Sequence, residues 1–309
     1  MSTAIRTEQR TESLSATTPK VVLSVRNLVK RYKDNTLAND GVSLDVYEGQ
    51  LISILGHNGA GKTTLMRQIT TELRPTSGEI SIFGIDSIRH PQDVKGLMGV
   101  TPQECELFQS LTVREHLEFF GRLKGLDRKK AGQRAERMVE ELNMTAYAKK
   151  QVGNLSGGLK RRVMIGIAMI AEPKILVLDE PTTGLDPASR REVWHQISSV
   201  VAAGQTVILT THYMEEAERL SERIAIMRAG KLITVGRLDD LYAGIKKSYR
   251  LSYKDQYNID GIGQPIVVYG SSFAELKAIT EREELAEFSI ARVSLEDIYF
   301  ELTGEHLED

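Results

Sequence analysis

The sequence predicts an α/β fold with a mostly parallel central sheet, and three observations indicate it. From Val21 onward, short β-branched runs alternate with helical patterns, as in sheets with crossover helices. Residues 51–55, 175–178 and 207–209 are apolar apart from Ser53, as expected for strands covered on both faces. Polar residues follow each run directly, and ligands bind beyond the carboxyl ends of strands in such sheets. We therefore expect one ligand site where three strand ends converge.

The remaining elements follow in order along the chain. Predicted strands cover residues 21–25, 42–46, 51–55, 79–83, 175–178, 207–210 and 223–227, which leaves room for antiparallel strands beside the parallel ones. Apolar residues at helical spacing in 113–123 and 129–142 predict a helical subdomain inserted at about 104–170. These elements make up one domain over residues 20–237. Strand-like segments at 249–253 and 265–269 and a helix-like ending at 294–303 predict a small C-terminal α/β accessory domain over 238–309.

The composition is that of an ordinary globular protein. The 309 residues are 41% hydrophobic and 27% charged with a net charge of −2, so no global charge points to nucleic acid. The single cysteine, Cys105, excludes an internal disulfide and favours a reducing compartment. The longest apolar run, residues 163–171, is shorter than the roughly 18 residues that cross a bilayer. Residues 1–19 are Ser/Thr-rich, lack the apolar stretch of a secretory signal, and are predicted to be a disordered tail.

A phosphate-binding loop follows the strand at 51–55. The pattern G-x-x-x-x-G-K-[ST] is formed by Gly56, His57, Asn58, Gly59, Ala60, Gly61, Lys62 and Thr63, and Thr64 continues into a helix-forming stretch. Backbone N–H groups of such a loop, together with the helix N-terminus, bind the phosphates of a nucleotide. Lys62 would contact the β- and γ-phosphates, and the Thr63 hydroxyl would bind Mg²⁺. A plain glycine-rich turn is the alternative, but the strand and helix on either side favour nucleotide binding.

Two carboxylates end the apolar run at 175–178. Taken alone, Asp179 and Glu180 could be a solvated strand end. In a chain that also carries the phosphate loop, Asp179 is predicted to belong to the Mg²⁺ shell. Glu180 is then placed to orient and deprotonate the attacking water, a role that needs a carboxylate near the γ-phosphate.

A second glycine motif precedes the helical run at 160–171. In Leu155-Ser156-Gly157-Gly158-Leu159, Ser156 can cap the helix and the two glycines expose backbone N–H groups to an anion. A capping motif without a ligand is the other interpretation. With the loop and the acidic strand end, however, the chain over roughly 21–235 resembles the ABC ATPase family, whose usual signature is L-S-G-G-Q. The resemblance implies a P-loop NTPase of ABC type. In that family the signature contacts ATP held by a partner subunit, so two chains bind two ATP molecules.

The same resemblance assigns roles to further residues. Tyr32 matches the aromatic residue that stacks on adenine, and Gln103 matches the glutamine that contacts Mg²⁺ and links the sheet domain to the helical subdomain. Asp186 matches the loop that communicates across the dimer, and His212 matches the histidine that contacts the γ-phosphate. A lone tyrosine or histidine would otherwise be a packing or surface residue. The implied catalytic residues are Glu180, His212 and Lys62, and the implied metal ligands are Thr63, Gln103 and Asp179.

Departures from the common family pattern point toward export. Leu159 stands where the family usually has Gln, and His57 replaces a common Pro. The loop is similar to that of the subfamily A lipid exporters, and residues 294–304 are similar to the C-terminus of prokaryotic drug-resistance-type exporter ATPases. The resemblance therefore implies a membrane-spanning permease on a separate chain. It also implies a paired ATPase subunit, which can be an identical or a different chain. The chain is expected to lie on the cytoplasmic face of the membrane as a peripheral subunit and to have no nucleic acid as a partner.

Two other functions are alternatives to transport. A soluble ABC ATPase acting on DNA would need a long coiled coil, but no heptad array lies between Gln103 and Leu155. A ribosome-acting relative would carry two cassettes, and this chain has one. A nucleotide-binding regulator without turnover is disfavoured because Lys62, Glu180 and His212 are all present.

Overall fold

A computed structural model describes residues 19–101, 107–244, 248–253 and 266–304. Gln103 and Cys105 lie outside these ranges, as does the tail predicted for residues 1–19 except for residue 19 itself.

The central sheet has six strands in the order β10-β9-β3-β8-β7-β6. Its strands are β3 (Leu51–Leu55), β6 (Met98–Thr101), β7 (Ile175–Asp179), β8 (Thr206–Thr211), β9 (Arg223–Arg228) and β10 (Lys231–Arg237). All neighbours are parallel except β9 and β10. Every residue of β3, β7 and β8 is buried, because these strands are covered on both faces. The prediction that the three apolar runs form the centre of the sheet is confirmed.

A second, antiparallel sheet has the order β2-β1-β4-β5. It consists of β1 (Val21–Arg31), β2 (Leu37–Tyr47), β4 (Ser77–Ile82) and β5 (Ile85–Asp86). The first two strands extend well beyond the predicted 21–25 and 42–46. Most of their added residues are exposed or only partly buried, so they lack the continuous apolar signal of a strand that is buried on both faces. Apolar residues of both sheets share one core with the helix that follows β3.

Helices cover the sheets and form the layer inserted between β6 and β7. They are α1 (Lys62–Ile69), α2 (Pro91–Lys95), α3 (Val113–Leu123), α4 (Arg128–Glu141), α5 (Gly157–Met169), α6 (Pro187–Ala202) and α7 (Met214–Leu220). Helix α3 begins with a capping box between Thr112 and Glu115, which fixes its first turn. Leu117, Met138 and Val163 of α3, α4 and α5 pack in a core of their own. In the described parts of the chain, no helix is both long enough and apolar enough to cross a bilayer.

The C-terminal region packs on the sheet domain. It contains α8 (Leu238–Ala243), β11 (Tyr249–Tyr253), β12 (Ile266–Gly270), α9 (Phe273–Arg282), β13 (Phe288–Arg292) and α10 (Leu295–Thr303), with the strand order β12-β11-β13. Ile298 and Tyr299 of α10 share a core with Ala217 of α7. The Glu218 carboxylate of α7 accepts hydrogen bonds of 2.8 Å from the Leu295 backbone N–H and from the Tyr242 hydroxyl. Apolar packing and a polar clamp thus join α10 to the helix that follows His212.

Candidate active site

The phosphate loop of residues 56–63 connects the buried strand β3 to α1. Gly59 and Gly61 have φ angles of 82° and 101°, in the left-handed region that glycine adopts without steric cost. A Cβ on Gly61 would also overlap the carbonyl oxygen of Ala38. Glycine is therefore required at position 61 for both reasons, and it lets the loop turn into the first residue of the helix.

The Lys62 side chain points back into the loop and across to the acidic strand end. Its Nζ donates to the carbonyl oxygens of Gly56 at 2.7 Å and His57 at 3.1 Å. It also lies 3.2 Å from Glu180 Oε1, and the two side chains are only 4% and 5% exposed. The lysine and the carboxylate therefore form a buried ion pair inside the predicted phosphate site.

The Glu180 backbone is held in an unusual conformation directly after β7. Its φ angle is 46°, which is uncommon for a residue with a side chain and is typical of strained positions at functional sites. The Glu180 N–H donates to Thr210 Oγ1 at 3.0 Å, and its carbonyl accepts from the Arg161 guanidinium at 3.0 Å. Contacts from β8 and from α5 thus fix the direction in which the carboxylate points.

The Glu180 carboxylate is surrounded by groups that favour its charged form. His212 Nδ1 lies 3.6 Å from Oε2, and the Thr183 hydroxyl donates to Oε2 at 3.2 Å. Interaction with His212 first, and with Lys62 next, lowers the pKa of Glu180 from 4.5 to about 2 even though burial acts in the opposite direction. At neutral pH the residue is an anion.

Two oxygen ligands suited to a magnesium ion lie beside this carboxylate. Thr63 Oγ1 donates to Asp179 Oδ1 at 3.4 Å, and the Thr210 hydroxyl donates to the same oxygen. Burial raises the pKa of Asp179. Mg²⁺ prefers oxygen ligands and in nucleotide sites takes one or two from the protein and the rest from phosphates and water. The described residues contain no group of three or more His, Cys, Asp or Glu side chains arranged for a metal. The residues present therefore fit a nucleotide-linked Mg²⁺ and not an all-protein metal site.

Tyr32 lies at the rim of the same cleft, one residue after β1. Its hydroxyl is 3.4 Å from Thr64 Oγ1, and Lys30 Nζ lies 5.4 Å from its ring centroid. The cleft has a volume of about 460 Å³. It is lined by Tyr32, Thr36, Leu37, Ala38, Asn58, Gly59, Gly61, Lys62, Thr63, Thr64, Glu180, Ala229 and Gly230. An aromatic ring and the phosphate loop therefore line one cleft, as a nucleotide requires.

The signature residues lie outside this cleft. Ser156 caps α5 by accepting a 3.4 Å hydrogen bond from the Leu159 N–H, and both Ser156 and Gly157 are exposed. A Cβ on Gly158 would come within 2.8 Å of the Ser189 side chain in α6. Asp186 caps α6 through 3.0 Å bonds from the Ala188 and Ser189 N–H groups. The signature and the start of α6 thus pack together at a second surface of the chain.

The structure brings most of the predicted residues together. Lys62, Thr63, Asp179, Glu180 and His212 form one cluster, and Tyr32, Asn58, Gly59, Gly61 and Thr64 line the same cleft. Gly56 and His57 contribute carbonyl oxygens to Lys62, and the His57 ring contacts the Asn58 carbonyl at 2.6 Å. Ala60 is fully buried beneath the loop. Gln103 lies outside the described residues.

Several residues of the site were not predicted. Arg161 and Thr183 contact Glu180 directly, as described above. Asn39 donates to the Gly61 carbonyl at 3.2 Å, and Gln68 donates to the Asn39 side chain at 2.5 Å. The polar pair Thr210-Thr211 after an apolar strand was a usable signal for Thr210. Asn39 and Arg161 carry no local signal, because their roles depend on contacts with distant segments.

Comparison with known proteins identifies the family of this chain. A family model described as "ABC transporter" matches residues 39–183. The chain is 43% identical over 221 residues to the daunorubicin resistance ATP-binding protein DrrA3 of Streptomyces coeruleorubidus. The match covers 72% of this chain and 70% of that protein. This chain belongs to the ABC transporter ATPase family. As a member of this family, the chain binds ATP.

Other relatives of this ABC ATPase fit the predicted resemblances. The Nod factor export ATP-binding protein I of Rhizobium meliloti is 34% identical, with 94% of this chain and 90% of that protein covered. Rat ATP-binding cassette sub-family A member 2 is 40% identical, but the match covers 75% of this chain and only 10% of that protein. A bacterial ABC transporter cassette, solved as a dimer and also in a post-hydrolysis state with ADP and Pi, is 26% identical with a TM-score of 0.63. The match covers 70% of this chain and 98% of the cassette chain. The predicted family and fold are confirmed.

Proposed function

We propose that this ABC ATPase is the ATP-hydrolysing subunit of an exporter and that it powers a membrane-spanning permease carried on a separate chain. The observation that carries the proposal is the buried cluster of Lys62, Glu180 and His212 at one end of a cleft that begins at Tyr32. Relatives support the direction of transport, because their names are those of drug-resistance and Nod factor export ATP-binding proteins.

Lys62 changes partner when ATP binds. The ammonium lies 3.2 Å from Glu180 and contacts two loop carbonyls. The β- and γ-phosphates carry more negative charge than one carboxylate, so they attract the ammonium more strongly. As Lys62 moves to the phosphates, the pKa of Glu180 rises from about 2 toward its ordinary value. The carboxylate becomes a better base as its substrate arrives.

Glu180 then orients the attacking water and accepts its proton, and His212 contacts the γ-phosphate. The imidazole is 3.6 Å from the carboxylate, so one side chain can sense the phosphate and hold the base. The Thr63 hydroxyl and the Asp179 carboxylate would hold Mg²⁺, with Gln103 as a further ligand that the family resemblance implies. When bound, Mg²⁺ supplies positive charge to the phosphate oxygens.

The signature residues of this chain bind the nucleotide of a neighbouring subunit. Ser156, Gly157 and Gly158 do not line this chain's own cleft, which supports the proposal that they contact ATP held by a second ATPase subunit. Arg161 of the same helix contacts the Glu180 carbonyl at 3.0 Å. Engagement of the signature by a neighbour's nucleotide can therefore influence this chain's own base. The Asp186 loop, packed beside the signature, completes the dimer contact.

The domain organisation follows the same proposal. An ATPase domain over residues 20–237 holds the nucleotide, and its helical subdomain at about 104–170 receives the cytoplasmic parts of the permease. Residues 238–309 form an accessory domain. The chain then lies on the cytoplasmic face of the membrane as a peripheral subunit, without nucleic acid as a partner.

Two measurements test the proposal. The chain is purified from detergent-solubilised membranes, and we expect an integral membrane protein to co-purify. Glu180→Gln is expected to bind MgATP but to hydrolyse it at least about 100-fold more slowly and to elute as a dimer, while Glu48→Gln, at an exposed surface carboxylate, behaves like wild type. A monomeric Glu180→Gln at saturating MgATP would contradict the closed-dimer scheme. Purification without any membrane partner would favour the soluble alternative.

A further inference from the structure

Glu216 is a fully buried carboxylate that takes no part in the proposed ATPase reaction. It lies in α7, four residues after His212, and its side chain is 0% exposed. Its Oε1 accepts two hydrogen bonds of 2.8 Å, one from the Thr182 hydroxyl and one from the Trp194 indole N–H. One oxygen atom therefore joins three segments that are distant in sequence.

Each of the three segments carries part of the site. Thr182 is fully buried and lies between Glu180 and Asp186 in the loop after β7. Trp194 belongs to α6, the helix that Asp186 caps. Glu216 itself belongs to the helix that follows His212. The Glu216 carboxylate thus connects the segments that carry Glu180, the Asp186 loop and His212.

A second contact connects α6 with the His212 segment. The guanidinium of Arg190 in α6 lies 4.0 Å from the Tyr213 ring centroid, and the rings of Tyr213 and His212 are 4.1 Å apart. Helix α6 therefore contacts His212 through Tyr213 on one side and the following helix through Glu216 on the other. A shift of α6 would move both.

The choice of a carboxylate at this position needs a reason other than packing. Burial of a carboxyl group away from water is unfavourable unless its hydrogen bonds compensate, and burial raises the pKa of Glu216. An apolar side chain of similar volume would fill the space without that cost. The specific benefit of Glu216 is that it fixes two donors from different segments at 2.8 Å.

We propose that Glu216 is a positioning residue of the ATPase reaction, which holds the loop from Glu180 to Asp186 in register with His212 through Thr182 and Trp194. The inference rests on the roles given to Glu180 and His212 in the proposed function. It predicts that loss of these hydrogen bonds slows hydrolysis without weakening ATP binding, because neither Thr182 nor Trp194 lines the nucleotide cleft.

Four variants of the full chain separate positioning from folding. Glu216→Leu removes the acceptor, Thr182→Val removes one donor with little change of shape, and Glu216→Gln keeps an acceptor oxygen. Glu215→Gln, on the exposed neighbour in the same helix, is the matched control. Each is measured for kcat and KM of ATP hydrolysis, for affinity with a fluorescent ATP analogue, and for its urea midpoint. Trp194 is the only tryptophan in the chain, so its emission reports the indole contact directly.

We expect kcat to fall about 10- to 100-fold in Glu216→Leu and Thr182→Val, the size of effect that a displacement of about 1 Å produces. KM and analogue affinity should stay within about twofold of wild type, and Glu216→Gln should restore most of kcat. A purely structural role would not separate kcat from nucleotide affinity and would not be rescued by glutamine.

Two results would overturn the inference. One is wild-type kcat in both folded Glu216→Leu and Thr182→Val, and the other is a Trp194 emission spectrum that Glu216→Leu leaves unchanged. If Glu216→Leu does not fold, Thr182→Val alone decides, because it leaves the carboxylate in place. Glu180→Gln, measured in parallel, distinguishes the two hypotheses. Retained turnover in Glu180→Gln refutes the proposed function, whereas lost turnover there with normal turnover in Thr182→Val refutes only the role of Glu216.

Discussion

The Lys62–Glu180 ion pair makes a quantitative prediction about the nucleotide-free protein. Both side chains are about 95% buried and 3.2 Å apart. Lys62→Met removes the ammonium from beside this buried carboxylate. Removal of one partner of a buried pair typically costs about 3 to 5 kcal/mol. The double variant Lys62→Met/Glu180→Gln should recover a large part of that loss, because neither charge of the ion pair is then buried.

The size of the coupling between the two residues follows from the geometry and the pKa. Coulomb's law with an effective dielectric constant of about 20 gives about 5 kcal/mol at 3.2 Å as an upper bound. The fall of the Glu180 pKa from 4.5 to about 2 corresponds to about 3 kcal/mol. His212 makes the largest contribution to that fall and Lys62 the next. We therefore expect a coupling free energy of about 2 kcal/mol between Lys62 and Glu180.

Urea unfolding of wild type, the two single variants and the double variant, at pH 7 without nucleotide, measures this coupling as a double-mutant cycle. The matched control is the exposed pair of Lys20 and Glu48, which is 3.1 Å apart with side chains 66% and 54% exposed. Its cycle should give less than about 1 kcal/mol. A Lys62–Glu180 coupling no larger than that of the surface pair would refute the reasoning, since burial would then add nothing.

Four further outcomes are expected. The stabilisation from Glu180 is complete above pH 4.5, its ordinary pKa, and is lost as the pH falls toward the folded-state pKa of about 2. The difference between the unfolding free energies of wild type and Glu180→Gln, measured as a function of pH, isolates this contribution. Thr210→Val removes the hydroxyl that accepts a hydrogen bond from the Glu180 N–H and donates one to Asp179, so the free energy of unfolding from urea titration should fall by about 1 to 3 kcal/mol. Tyr32→Ala removes the ring proposed to stack on adenine and should raise KM for ATP about tenfold, with kcat unchanged and Tyr32→Phe near wild type. Gly158→Ala pushes a methyl group against Ser189 and should cost about 1 to 3 kcal/mol, part of which Ser189→Gly restores.

The sequence predicted the centre of the fold better than its periphery. Strands β3, β7 and β8 are covered on both faces, so their residues form continuous apolar runs that identify them. Strand β10 has mostly partly exposed residues at the sheet edge, and β6 is only four residues long. Neither leaves a distinct pattern. Helix α9 and strand β13 were missed for a similar reason, because most of their residues are exposed.

In the site, too, residues within one short segment could be predicted from the sequence, whereas residues from distant segments could not. The phosphate loop is one continuous stretch of sequence, and so is the pair Asp179 and Glu180. A short sequence motif therefore describes each of them completely. The groups that orient Glu180 come from elsewhere: Arg161 reaches its carbonyl from α5, and Thr210 reaches its N–H from β8. No spacing rule connects such residues with position 180. Only the packing of helix and strand beside β7 brings them there.

The hydrophobic core that α10 shares with α7 bears on how shortened versions of this protein should be made. A chain that ends near residue 244 looks complete by motif, yet it would leave Ala217, Ile224 and Ile226 without the cover of Ile298 and Tyr299. It would also remove the Leu295 N–H from Glu218. Such a fragment should aggregate or lose order in the helix next to His212. A soluble catalytic fragment would need polar replacements on that surface, so α10 is in practice part of the ATPase.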